Sequence, residues 1–176
     1  RKTLLFFGLV RESKGLDILL EAFCKLPEDY QLVVAGEPYG SFEKYSTIID
    51  GTPSKSRIHL FTRYIKDSEV SAFFSAADVV VLPYRSATQS GVSAIACHFE
   101  VPMIVTDVGG LRQSIGESGI GLVADAPDAD SILEQILLFF SNDNLRILCI
   151  NSTRAEKERL SWSSFSRKLL DFSKKI

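Results

Sequence analysis

Two cationic side chains follow the first apolar segment of the chain, and together they could bind a phosphate group. Arg11 and Lys14 stand three residues apart, shortly after Gly8, which ends the apolar run at residues 3–7. Arginine offers a planar fork of N–H donors and lysine a compact charge, so the pair can approach a diphosphate from one side. Such charges are also common on solvated surface loops, so the spacing alone leaves that alternative open.

A loop of small polar residues follows a later apolar run and leads into a predicted helix. The run is residues 78–82, and the loop at residues 86–91 has the sequence SATQSG. Ser90, Gly91 and Val92 therefore fall at the start of the helix. Backbone N–H groups in the first turn of a helix lack intrahelical partners, and the helix dipole favours negative charge there. We predict that this turn binds phosphate.

Glu37 is a further candidate, because it follows Gly36 at the end of the predicted strand 30–35. Its carboxylate could accept hydrogen bonds from a base or from sugar hydroxyl groups, or it could cap the next segment. The two histidines are less informative. His98 lies among apolar neighbours in a predicted helix and His59 lies within a predicted strand, and both positions are typical of structural histidines.

Short apolar runs alternate with amphipathic stretches up to residue 128. The strands are predicted at residues 3–7, 30–35, 57–61, 78–82, 103–106 and 121–123. Helices are predicted at residues 16–26, from Asp67 or Ser68 to residue 76, after Ser90, at 111–115, and then at 130–140, 145–160 and 162–172. Residues 38–50 are predicted to be irregular or weakly helical.

This alternation predicts an α/β fold with a doubly wound parallel sheet and right-handed crossovers. The run at residues 78–82 is apolar on both faces, as in a central strand that helices cover on each side. Ligands of such sheets bind beyond the carboxyl ends of the strands, where the strand order reverses. Gly8, Gly36, Pro83 and the glycines at 109–110 directly follow strands, so we expect their loops at that edge.

Composition excludes several classes of function. The chain has 176 residues, 45% of them hydrophobic, and a net charge of −2, as expected for one globular domain. We expect no nucleic-acid partner, because no basic stripe is present. No apolar run approaches the roughly 20 residues that cross a bilayer, so we expect no transmembrane segment. The three cysteines have neither metal nor disulfide spacing, which predicts reduced thiols and a cytoplasmic protein.

Several nucleotide-binding and catalytic motifs are missing. No G-x-G-x-x-G follows the first strand, which disfavours a nicotinamide or flavin enzyme and a nucleotide-sugar epimerase. The G-x-x-x-x-G-K-[ST] pattern and the nucleophile elbow G-x-S-x-G are also missing. We therefore expect phosphate binding by arginine, lysine and backbone amides, with no metal and no cofactor.

Four segments occur in order along the chain and carry a resemblance to a known family. They are FFGLVRESKGLDILLEAF, VVAGE, RYIKDSEVSAFFSAADVVVLPYRSATQSGV and PMIVTDVGGL. Together they resemble the C-terminal, donor-binding domain of retaining GT-B glycosyltransferases of group 1 (family 4), over nearly the whole chain. The resemblance implies one Rossmann-like nucleotide-sugar-binding domain at residues 1–176. That domain would be one half of a GT-B two-domain enzyme, whose N-terminal acceptor domain is absent from this chain.

The resemblance also implies roles for single residues. Arg11 and Lys14 would stabilise the departing diphosphate, and the Gly8 backbone would lie in the same region. The amides of Ser90, Gly91 and Val92 would bind the distal phosphate, and the backbone around Tyr64 and Ile65 would lie near the nucleotide base.

The chain departs from the family at two positions. The family commonly carries Glu-x7-Glu, which falls here on Ala87 and Ile95. Gln89 or Thr88 could take over contacts to the sugar, Ser90 could add a hydroxyl group, and Glu37 is a candidate for the ribose.

Two functions follow as expectations. The first is metal-independent transfer, with retention, of a sugar from a nucleotide-sugar donor. The saccharide or lipid-linked acceptor would bind to the N-terminal half, so this domain would be inactive alone. The enzyme would be cytoplasmic, and the full-length protein can lie at the membrane surface. The alternative is a catalytically degenerate GT-B domain that serves as a scaffold for a partner.

Overall fold

The six strands in the part of the chain that the structure describes join one parallel sheet. The computed structural model describes residues 1–173, apart from the side chains at positions 162, 165, 168 and 169. The strands are β1 (Lys2–Phe7), β2 (Tyr30–Ala35), β3 (Ile58–Phe61), β4 (Val79–Leu82), β5 (Met103–Thr106) and β6 (Gly121–Ala124). Their order in the sheet is β3-β2-β1-β4-β5-β6, and every pair is parallel. The strand order reverses between β1 and β4, which sets a switch point there.

Helices cover both faces of the sheet. They are α1 (Leu16–Cys24), α2 (Glu43–Asp50), α3 (Asp67–Ser75), α4 (Gly91–His98), α5 (Ala129–Ser141), α6 (Asp143–Arg159) and α7 (Trp162–Ser173). Short 3₁₀ turns lie at Glu12–Lys14 and Pro53–Arg57, and a π-helical turn lies at Arg112–Glu117.

Alternate side chains of the central strands enter two separate cores. Leu4 and Phe6 of β1 pack in a cluster with α1 and α5, whereas Leu5 packs with Val80 of β4 and with Phe74 of α3 on the opposite face. Side chains of a strand point alternately to its two faces, so both faces of β1 are buried. The predicted doubly wound parallel sheet is confirmed.

Two predicted helices have different bounds in the structure. The segment predicted as irregular or weakly helical contains the regular helix α2, whose residues Tyr45 and Ile49, four apart, are buried. Helix α1 ends at Cys24 instead of residue 26. The amides of Lys25 and Leu26 bond to carbonyls three residues back, which tightens the chain before Pro27.

One predicted cap was wrong, and one predicted helix is of a different type. Asp67 and Ser68 do not cap α3, since Lys66 occupies the N-cap position. The carboxylate of Glu69 accepts a hydrogen bond from the backbone N–H of Lys66 (3.0 Å), so a residue inside the first turn supplies the cap. The short helix predicted at 111–115 is the π-helical turn Arg112–Glu117.

No helix within residues 1–173 is both long enough and apolar enough to span a membrane.

Candidate functional site

The crevice at the switch point lies between the loop after β1 and the loop after β4, and Gly8 stands at its base. Gly8 has a φ of +104°, which L side chains rarely adopt. A Cβ at this position would lie 3.3 Å from Cγ2 of Val92, so the first turn of α4 packs against the glycine. The fold thus brings together Gly8 and the predicted phosphate turn.

Gly15 allows the first loop, residues 8–15, to contact the end of β4. Its φ is +66°, in the left-handed region. A Cβ on Gly15 would lie 1.9 Å from the carbonyl oxygen of Pro83, so no other residue fits without moving the backbone. The 3₁₀ turn Glu12–Lys14, which carries the second cation, is therefore held against the exit of β4.

Lys14 is linked through Tyr84 to the start of α4. Its Nζ lies 3.7 Å from the centre of the Tyr84 ring, within the range of a cation–π contact. Tyr84 is buried, and its hydroxyl group lies 3.2 Å from Oγ of Ser90. Burial, and then the positive charge of Arg11, lower the pKa of the Lys14 ammonium below its ordinary value. A bound anion would raise this pKa again, because an opposite charge nearby favours the charged form of the ammonium.

Arg11 and Lys14 share one cleft with the loop after β4, here called the cationic cleft. Its volume is about 400 Å³. It is lined by Arg11, Ser13, Lys14, Ser86, Ala87, Thr88 and Gln89. The structure therefore brings together two residues predicted to stabilise a diphosphate, and Gln89 lines the same cleft.

A second cleft of about 400 Å³, the hydroxyl cleft, adjoins the first at the start of α4. It is lined by Thr88, Gln89, Ser90, Ser93, Gly110, Gln113 and Ser114. Ser90 is at the N-cap of α4, but its hydroxyl group is engaged with Tyr84 and makes no capping bond. Sequence reasoning missed Ser93, Gln113 and Ser114. Ser93 lies within α4 itself, whereas Gln113 and Ser114 reach the cleft only because the fold brings the turn after β5 beside α4.

A third, smaller cleft of about 200 Å³, the base cleft, lies at the ends of β1 and β2. It is lined by Phe7, Gly8, Leu9, Gly36, Glu37, Tyr64 and Ile65. Four predicted site residues thus meet in one place: Gly8, Glu37, Tyr64 and Ile65. Ile65 is buried, whereas 66% of Tyr64 is exposed.

Arg63 fixes the backbone beside the base cleft and was missed from the sequence. Its guanidinium donates to both carboxylate oxygens of Glu69, at 2.9 and 2.6 Å, and to the carbonyl oxygen of Tyr64 at 3.0 Å. Hydrogen bonds from Arg63 and then from the Lys66 backbone lower the pKa of Glu69 to about 2. The carboxylate therefore stays ionised at neutral pH, and the Arg63 contact to Tyr64 stays in place.

Comparison with known proteins identifies the family of the chain. The model of the family "Glycosyl transferases group 1" matches residues 1–156. The chain belongs to this family. A D-inositol 3-phosphate glycosyltransferase of Corynebacterium urealyticum is 25% identical over 183 residues, and the match covers 99% of this chain and 43% of that protein. The chain thus spans less than half the length of this relative.

Solved glycosyltransferase structures share the fold. Sucrose-phosphate synthase from Thermosynechococcus elongatus superposes with a TM-score of 0.83 at 19% identity, over 99% of this chain and 45% of that one. HepE from Anabaena, solved in complex with UDP-glucose, gives a TM-score of 0.82 at 13% identity, over 99% of this chain and 49% of that one. The Rossmann-like fold that the resemblance implied, that of GT-B glycosyltransferases, is confirmed.

The two positions at which the resemblance led us to expect glutamate, Ala87 and Ile95, lie in different surroundings. Ala87 lines the cationic cleft. Its carbonyl oxygen would be 1.9 Å from a Cβ on Gly109, so the glycines at 109–110 pack on the loop after β4. Ile95 is partly buried and packs against the apolar cluster that contains Tyr84. Neither position supplies a carboxylate to a cleft.

Proposed function

We propose that this chain is the donor-binding domain of a retaining glycosyltransferase whose donor is a nucleotide-diphosphate sugar. The observation that carries the proposal is the cleft that Arg11 and Lys14 form with residues 86–89, the loop that leads into α4, at the switch point of the sheet. Two cations and the N-terminus of a helix together favour a diphosphate. The acceptor, a saccharide or a lipid-linked sugar, would bind to an N-terminal half of the full-length enzyme.

The three clefts give a layout for the donor. The base and ribose would lie in the base cleft, where Glu37 can accept hydrogen bonds from the ribose hydroxyl groups. The diphosphate would lie between Lys14 and the amides of Gly91 and Val92, and the sugar would lie near Gln89 in the hydroxyl cleft. The complex of HepE with UDP-glucose, a protein of the same fold, supports a donor of this class.

The chemistry proposed for the site is electrostatic. As the bond between the anomeric carbon and the diphosphate breaks, negative charge develops on the leaving group, and Arg11 and Lys14 would stabilise it. The acceptor oxygen forms the new bond to the anomeric carbon on the same face, and its proton passes to the departing phosphate oxygen. The proposal assigns the stabilisation to side chains instead of a metal ion, and it assigns no covalent nucleophile.

A binding screen tests the donor class. We expect one of UDP-, GDP- or ADP-sugars to raise the unfolding temperature of the chain, because a ligand at about 100 times its Kd adds roughly 2.7 kcal/mol of stability. In the full-length enzyme, Arg11→Ala combined with Lys14→Ala should abolish turnover, and EDTA should not. Unchanged turnover in the double variant would contradict the roles assigned to these two residues.

A scaffold domain without catalysis is the second candidate, and the side chains of Ala87 and Ile95 favour it. If none of the three nucleotide-sugars changes the unfolding temperature, the scaffold is supported and the transferase is not. For either function we propose a cytoplasmic location, in which the free thiols Cys24, Cys97 and Cys149 remain reduced.

A further inference from the structure

Asp17 in α1 is a buried carboxylate that does not line any of the three clefts. It is 6% exposed, and both of its oxygens are engaged. Oδ1 accepts from NH1 of Arg85 at 2.7 Å, and Oδ2 accepts from NH2 of Arg85 at 3.0 Å and from Nζ of Lys44 at 2.6 Å. A bidentate arginine–carboxylate pair fixes the orientation of both groups.

Arg85 also binds the backbone of the first loop. Its NH1 donates to the carbonyl oxygen of Glu12 at 3.0 Å, and its own backbone N–H donates to the carbonyl oxygen of Ser13 at 2.9 Å. Both acceptors lie between Arg11 and Lys14 in the sequence. Arg85 therefore joins the loop after β4 to the segment that carries the two cations, and Asp17 anchors Arg85 to α1.

The first loop needs such an anchor because its charges repel each other. The charge of Arg11 contributes to the lowered pKa of Lys14, so the two cations oppose each other when no anion is bound. A loop that relaxed this repulsion by moving outward would widen the cationic cleft. Groups that hold a binding geometry in advance reduce the ordering needed on binding, and a misplacement of about 1 Å can lower a rate on the order of a hundredfold.

We propose that Asp17 and Arg85 form a positioning clamp that fixes Arg11 and Lys14 at the distance from the loop after β4 that a diphosphate requires. The inference rests on the proposed function for its ligand, but the geometry of the clamp can be tested in the free chain. Neither residue lines any of the three clefts. The Arg85 side chain acts through the carbonyl oxygen of Glu12, and Asp17 acts by orienting that side chain.

The test compares clamp variants with matched controls. The variants are Arg85→Ala, Arg85→Lys and Asp17→Asn. Arg154→Ala is the control for loss of an arginine–carboxylate contact, because Arg154 donates to Glu100 at 2.9 Å and does not line the clefts. Lys44→Ala is the control for Asp17, because Lys44 binds the same carboxylate but is not bonded to the first loop.

The first measurement is amide hydrogen exchange of residues 11–15 in the unliganded chain. We expect Arg85→Ala and Asp17→Asn to speed exchange there about tenfold or more, with Arg85→Lys intermediate. Exchange in α5 should not change, and neither control should affect the first loop. If exchange at residues 11–15 is unaltered in Arg85→Ala and Asp17→Asn, the clamp does not hold the loop and the proposal is overturned.

The second measurement is the ratio of affinities for the diphosphate and the monophosphate of one nucleoside, with uridine, guanosine and adenosine as probes. We expect the clamp variants to lower this ratio about tenfold, because only the second phosphate needs both cations in place. A purely structural role would lower both affinities together, and that outcome would overturn the proposal. If the wild-type chain binds no nucleotide, the proposed function fails, and the exchange measurement alone decides the clamp.

Discussion

The cationic cleft and the hydroxyl cleft have equal volumes and share Thr88 and Gln89, but their chemistry differs. In the cationic cleft, buried partners from distant parts of the chain hold the working groups, as when the Tyr84 ring contacts Lys14. In the hydroxyl cleft, side chains bond to backbone carbonyls one turn earlier in the chain: Ser93 donates to the carbonyl of Ser90 at 2.6 Å and Ser114 to that of Gly110 at 2.8 Å.

Under the proposed function, this difference would separate two tasks in one site, the binding of the diphosphate and the binding of the sugar. Charges fixed by tertiary contacts suit a constant ligand such as a diphosphate. Hydroxyl groups bonded to a nearby carbonyl can rotate towards a ligand instead, since the hydroxyl is both donor and acceptor. We infer that diphosphate binding depends on the arrangement of the fold, and that sugar binding depends on exchangeable hydrogen bonds.

Gly15→Ala should cause the largest loss of stability among these variants. The change disrupts the cationic cleft and leaves the hydroxyl cleft as it is. The new Cβ would meet the Pro83 carbonyl oxygen at 1.9 Å, so the backbone must move. We expect a loss of about 3 kcal/mol or more in the free energy of unfolding, measured by urea denaturation. Gly40→Ala is the control: its φ is +92°, but no atom lies within 4 Å of its Cβ, so only backbone strain of about 1 kcal/mol remains. Equal losses would show that Gly15 is not a packing contact.

Lys14→Met and Gln113→Ala should weaken the binding of different ligands, because Lys14 lines the cationic cleft and Gln113 lines the hydroxyl cleft. Loss of a hydrogen bond to a charged group weakens binding by roughly 1.5–3 kcal/mol, so affinities for a nucleoside diphosphate and its sugar ester should fall together, about tenfold to a hundredfold. Gln113→Ala should instead weaken only the nucleotide-sugar, by about 1 kcal/mol. Calorimetric titration of each variant with the nucleoside diphosphate and with its sugar ester measures the two affinities. Lys55→Met, which removes an exposed lysine paired with Asp50, is the control.

The Asp17 carboxylate should make the free energy of unfolding depend on pH. Burial alone would raise its pKa, but hydrogen bonds from Arg85 and Lys44 outweigh burial and lower the pKa to about 2. A depressed pKa stabilises the fold above the unfolded value and loses that contribution as pH falls towards the folded value. We expect Asp17→Asn to lower the free energy of unfolding on the order of 2 kcal/mol at pH 7.

The difference between wild type and Asp17→Asn should then narrow as the pH falls from about 4 to about 2, in urea titrations at each pH. A difference that stayed constant over this range would show that the charge of Asp17 does not account for its contribution.

Tyr84→Phe should have the smallest effect. It keeps the ring under Lys14 and removes only the hydrogen bond to Ser90, so about 1 kcal/mol of stability should be lost. Diphosphate affinity should change less than about twofold, since the charge stays in place. Tyr30→Phe is the matched control, because Tyr30 is also buried and accepts a hydrogen bond from Lys2 at 3.3 Å. A large loss of diphosphate affinity in Tyr84→Phe alone would show that Ser90 needs its tyrosine partner to bind phosphate.

Sequence periodicity predicted the sheet and the loops at its edge because buried strands and helix faces repeat at fixed intervals. The start of α4 was predicted correctly, since Ser90 and Gly91 stand at the boundary between a polar loop and an apolar helix. The N-cap of α3 was predicted at the wrong residue, because a carboxylate in the first turn can serve an amide one turn earlier.

The contacts that hold the candidate site could not be predicted from the sequence. Asp17 and Arg85 are 68 positions apart, and their pairing depends on strand order, which no local pattern encodes. The same holds for Lys14 and Tyr84, whose contact arises because β1 and β4 are neighbours in the sheet. The residue types indicated phosphate chemistry, but their arrangement comes from the tertiary fold.

The contact between Lys14 and Tyr84 should also make the near-ultraviolet spectrum of Tyr84 depend on the position of the Lys14 ammonium group. A charge 3.7 Å from the ring centre of a buried phenol perturbs the electronic transitions of that ring. A diphosphate that draws the ammonium group away would change the near-ultraviolet circular dichroism of Tyr84. Occupancy of the cleft could then be followed without a label, and Tyr84→Leu would identify the part of the signal that belongs to this residue.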